Sequence, residues 1–175
     1  MERRVPVAAV ALICALACLA APTGGLAASA TAPADLIVPG HSIGKIVIGE
    51  NTGAVIGAIG RPGRLGPDAG PEWIYGALQV DVNSEGLSVV ALEVVAQYGA
   101  TKAAAERYRT RAGIHVGSTI GAVEKAYPAA KCSIRNHGCQ LVSGTRTTYF
   151  IIATSVRKLS ASTALNAIQI AGIGG

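Results

Sequence analysis

The segment Ile46-Val47-Ile48-Gly49-Glu50-Asn51-Thr52-Gly53-Ala54-Val55 returns 68 residues later as Ile114-His115-Val116-Gly117-Ser118-Thr119-Ile120-Gly121-Ala122-Val123. Between residues 46–60 and 114–128, six of fifteen positions are identical, and self-similarity at a fixed offset reads as an internal repeat. Asn51 and Thr119 fall where a side-chain oxygen can cap the free N–H groups of a following helix. Val55 and Ile59 then lie four apart on one helical face, as do Val123 and Tyr127. Gly60 with Pro62 stops the first helix, and Pro128 stops the second.

Each helix precedes β-rich sequence. After the first come Trp73 to Tyr75, then Leu78 to Val82 with apolar residues alternating against Gln79 and Asp81. A turn at 83–86 leads into Leu87 to Val95. After the second come Gln140 to Val142, Thr147 to Thr154 and Ala164 to Ile170. The expected fold is α+β: two tandem helix–three-strand repeats packing into one antiparallel sheet with helices on one side, since a single unit cannot bury its own apolar face. The repeats run over 31–96 and 113–175, with 97–112 as a linker that forms an arm or a helix of one to two turns. The compact domain spans 39–171.

Residues 1–30 read as a signal peptide, with Arg3 and Arg4 before an apolar run to Ala21 and Ala28-Ser29-Ala30 as the cleavage region. They hold 21 of the apolar residues and leave 67 in the other 145, which is ordinary globular composition. Cleavage near Ala30 gives a secreted, periplasmic or envelope-associated chain of charge +4. Ala15-Leu16-Ala17-Cys18 is a degenerate lipobox with its leucine one place late, so a lipoprotein anchored through Cys18 is the lesser alternative. Cleavage leaves Cys132 and Cys139 as the only cysteines, which in an exported chain favours a disulfide over a metal site; no fourth ligand and no CxxC spacing accompany them.

The doubled Ile-x-Ile-Gly-x-Asn/Thr-x-x-x-Val pattern, the Gly-Arg-Pro stop at 60–62, Trp73-x-Tyr75 and the cysteine loop in the second copy resemble the tandem-repeat fold of β-lactamase inhibitor proteins. They also resemble outer-membrane assembly lipoproteins of the BamE/SmpA/OmlA type, which carry one such unit. The resemblance implies the fold, and does not carry either family's function across to this chain. No functional residue is carried over from either family, because the long inhibitor loop shrinks here to Gly76-Ala77 and aromatics make up only 4% of the chain.

Gly40-His41-Ser42-Ile43-Gly44 matches the nucleophile-elbow pattern Gly-x-Ser-x-Gly, but the strand and sheet that an elbow requires have no room before it. A Ser42-dependent hydrolase is therefore a weak alternative. His115 takes the place of Val47 and reads as a packed or half-exposed histidine. Glu50, Asp81, Glu85, Glu93 and Glu124 are dispersed, with no spacing that pairs carboxylates for acid–base work. The expected function is that of an exported non-catalytic binding module acting by protein–protein contact, with inhibition of an extracellular enzyme as the alternative. Candidate contact residues are Trp73, Tyr75 and Tyr149 on an open sheet face, and Arg107, Arg109 and Arg111, which share a side if extended and suit an anionic envelope surface. No cofactor, metal or nucleic acid is expected.

Overall fold

The two capping residues act as their chemistry predicts. In the computed structural model, which describes residues 33–66 and 71–172, Asn51 accepts a hydrogen bond from Gly53 N at the head of helix α1 (Thr52–Ile59). Thr119 accepts one from Ala122 N at the head of α3 (Ile120–Ala126). Gly60, at φ 86°, closes α1 through a bond from its N–H to Ile56 O. The expected signal peptide, with Cys18 and the Ala30 cleavage region, lies outside the described residues.

Helices α1 and α3 each feed a meander of four strands where three were expected. After α1 come β4 (Arg64–Leu65), β5 (Glu72–Tyr75), β6 (Leu78–Val82) and β7 (Val89–Val95). After α3 come β9 (Lys131–Ser133), β10 (Gly138–Ser143), β11 (Arg146–Ile152) and β12 (Leu165–Gly172). The additional strands, β4 and β9, are the two edges of a single antiparallel eight-stranded sheet of order β4-β5-β6-β7-β12-β11-β10-β9. With two and three residues, they are too short for an alternating pattern to betray them.

A second, small sheet of order β3-β2-β1-β8 was not legible either. Its strands are β1 (Leu36–Val38), β2 (Ser42–Ile43), β3 (Ile46–Val47) and β8 (Arg109–Thr110), so the region read as a linker holds both a strand and the short helix α2 (Lys102–Glu106). Gly40 N donates to Thr148 Oγ1 at 2.8 Å, and Arg146 Nη2 donates to Ile48 O at 2.8 Å, which ties this layer to β11.

Both meanders close on their helix caps by the same bonds. Gly49 N donates to Val89 O, Val89 N to Glu50 O and Thr52 N to Leu87 O; correspondingly Gly117 N donates to Leu165 O, Leu165 N to Ser118 O and Ile120 N to Thr163 O. One hydrophobic cluster lies between the large sheet and the layer of helices and small sheet. Phe150, Ile168, Ile170, Leu92 and Val80 meet Val55, Ala105, Ile120, Val123, Ile37 and Ile43 there, so the three described helices cover the same sheet face.

Cys132 and Cys139 form a disulfide between directly opposed residues of β9 and β10. By restricting an eight-residue loop in the unfolded chain, it should contribute about 2.5 kcal/mol. Denaturant unfolding of the Cys132→Ser/Cys139→Ser chain is expected to show that loss, and a reductant should have no further effect on it.

Candidate functional site

Side chains on directly opposed strand residues share a face, so the strand register sorts the sheet into two surfaces. Trp73, Val80, Leu92 and Ile170 form one row toward the helices. Tyr75, Leu78, Val94, Ile168, Phe150 and Cys139 form the next. Trp73 and Tyr75 pack against the core cluster, and Tyr75 Oη donates to Gly60 O at 3.1 Å. They do share a side, as their spacing requires, but it is the side opposite Tyr149. The expected three-aromatic patch is therefore not formed.

The helix-free face is organised around a row with one residue from each of the eight strands: Arg64, Ile74, Gln79, Glu93, Gln169, Tyr149, Gln140 and Lys131. Gln169 Nε2 donates to Glu93 Oε2 at 3.5 Å at its centre. At one end, the Arg64 guanidinium lies 5.7 Å from the Tyr98 ring centre. A parallel row runs Glu72, Asp81, Ala91, Ala171, Thr147 and Val142, the last of these 65% exposed.

Register thus gathers three carboxylates that are dispersed in sequence, which corrects the expectation for Asp81 and Glu93. Glu72 sits directly across from Asp81, and Glu93 lies on the next strand of the same face. Burial, followed by repulsion from Asp81 and Glu72, raises the Glu93 pKa to about 7. Burial also raises Asp81, opposed by a hydrogen bond from Gln79 Nε2 at 3.3 Å. Gln79 and Asp81 alternating along β6 carried the signal for this face; which carboxylates meet depends on strand order, which the alternation does not encode.

The other candidates are scattered. Arg107 ends α2 in helical conformation, so the three arginines do not share an extended face. Arg107 stacks on Tyr108 at 5.1 Å and pairs with Asp35 at 3.5 Å, whereas Arg109 lies exposed in β8. Arg111 borders a separate apolar cavity beside β1 and Tyr127. Ser42 is a strand residue only 3% exposed, hydrogen-bonded in a hairpin rather than raised on an elbow. His115 Nδ1 lies 2.7 Å from Val116 O, in keeping with a packed role. Among the described residues, no three His, Cys, Asp or Glu side chains converge on a metal site.

The sequence matches no family model and no curated protein. Among solved structures, it is similar to a DUF4309 family protein (YjgB) from Bacillus subtilis at 13% identity and TM-score 0.49, over 76% of this chain and 88% of that one. It is also similar to an extracellular protein containing a SCP domain from Bacillus anthracis at 16% identity and TM-score 0.37, over 71% of this chain and 44% of that one. The chain thus spans less than half of the second protein.

Proposed function

We propose that the chain is an exported, non-catalytic binding module, built from two diverged copies of one helix-and-meander unit, which contacts a protein partner through the helix-free sheet face. The cross-sheet row carries this reading. It lays polar side chains over the middle of a sheet surface that no described helix covers, and partner contact would compensate the partly buried ones.

The duplication is supported by the matching bonds at the two caps and by the centre of the row. Adding 76 takes Val89 to Leu165 and likewise Glu93 to Gln169, so an approximate two-fold axis relates the opposed pair. The same relation takes Asp81 to Ile151 and Glu72 to Gly138. One half of the face is acidic and the other is not, which suits a partner with a basic patch on one side. Tyr149 is the only aromatic in the row, a poor match to the aromatic-rich face of the resembled inhibitors.

A photo-crosslinker placed at Gln140, in the row, is expected to capture one discrete protein in the native envelope or medium, and Asp81→Lys should abolish that adduct. The same crosslinker at Ile56, on the exposed side of α1, should not capture it. An identical adduct from Ile56, or none from Gln140, would sink the reading.

A further inference from the structure

On the opposite side of the molecule, α1, the β2–β3 hairpin and the end of α2 enclose a half-open cleft of about 350 Å³. That volume suits a small ligand. Its floor is Ile43, Ile46 and Leu78, each at most 4% exposed. Its rim carries two cations, Lys45 and Arg107, and no carboxylate is among the described lining residues. Arg107 is held at the rim by its stacking on Tyr108 and its 3.5 Å pair with Asp35, while its side chain stays 61% exposed.

The repeat provides an internal comparison. Gly44, Lys45, Ile46 and Ala58 of this cleft correspond, 68 residues on, to Ala112, Gly113, Ile114 and Ala126, which line a second cleft beside α3. At the Lys45 position the second copy has glycine, and no aromatic is among the described residues that line its cleft. The fold therefore makes the clefts, but it does not require two cations, or Tyr75 and Tyr108 in the wall, at the first. An apolar floor below two rim cations, one of them paired on its outer side with Asp35, matches a ligand with a carboxylate head and an apolar tail.

We propose that this cleft binds a small amphipathic carboxylate, with its head at Lys45 and Arg107 and its tail on Ile43, Ile46 and Leu78. The site is on the face away from the cross-sheet row, so it stands independently of the partner reading.

Calorimetric titration of the purified protein with decanoate is expected to show one saturable site of sub-millimolar Kd. Lys45→Glu with Arg107→Glu should weaken binding at least about tenfold. Ala58→Leu, which narrows the cleft and leaves both charges, should weaken it too, with the far-UV circular dichroism spectrum of each variant matching the parent's to show that the fold is kept. Decyltrimethylammonium should not compete. The proposal fails if decanoate does not bind at about 1 mM, if the double charge reversal leaves binding unchanged, or if the cationic amphiphile binds equally well. Association with phosphatidylglycerol vesicles without decanoate binding would also overturn it, assigning the two cations to a membrane surface instead.

Discussion

Gly138→Ala is expected to destabilise the protein by about 3 kcal/mol or more. Two independent causes act at this position. Gly138 has φ 137°, a conformation that L side chains rarely adopt. A Cβ there would also overlap the carbonyl oxygen of Phe150, which belongs to the strand paired with β10 and cannot retreat without breaking the ladder. Phe150 is fully buried and stacks on Tyr127 at 5.5 Å, so any shift in its backbone reaches the centre of the core. Gly144→Ala is the control: its φ is 61°, but nothing stands within 4 Å of the added methyl. It should cost about 1–2 kcal/mol, the backbone contribution alone. Equal losses for the two variants in urea unfolding would show that the close approach to Phe150 contributes nothing.

Glu93→Gln is expected to stabilise the protein at pH 8 by about 2–3 kcal/mol and to leave it nearly unchanged at pH 4. The sign follows from proton binding. Folding raises the Glu93 pKa from 4.5 to about 7, so the native state holds this proton more tightly than the unfolded chain does. Below pH 4.5 both states are protonated and no penalty exists. As pH rises toward 7 the unfolded chain ionises first and stability falls, and above 7 the native carboxylate is charged and the full cost is present. The groups facing it are Asp81 and Glu72, which oppose its ionisation, and the neutral Gln79 and Gln169. Glutamine keeps the shape and matches the residue across the axis. Asp81, raised in the same direction, should leave a smaller pH slope in the variant. A Glu93→Gln chain that loses stability between pH 4 and 8 as steeply as the parent would contradict this assignment.

The sequence reveals what is local. Asn51 and Thr119 cap their helices because a short polar side chain before an apolar helical pattern has few other uses. The long strands are found locally, 78–82 by alternation and 89–95, 146–152 and 165–172 as runs rich in β-branched and other apolar residues. The Cys132–Cys139 pair needs only the turn between them. Strands of two or three residues carry no period, so the small sheet and both edges of the large one stay hidden. Alternation places Trp73 and Tyr75 together, yet which face looks at helices is decided by packing far along the chain. The grouping of Glu72, Asp81 and Glu93 is hidden for a related reason: it exists only once strand order and register are set.

The position of β12 has a consequence for how the molecule is made. The latest strand in chain order sits in the middle of the large sheet, between β7 and β11, and pairs across its axis with residues about 75 positions earlier. A chain threaded out through a narrow channel in its N-to-C direction cannot complete this sheet until Leu165 and the residues after it have emerged. Until then the β4–β7 and β9–β11 meanders each present an unfilled inner edge, a state open to mispairing and slow to resolve because the missing contacts are distant in sequence. Burying the last described strand at the centre thus ties closure of the large sheet to residues 165–172, whatever the order in which the rest of the chain folds.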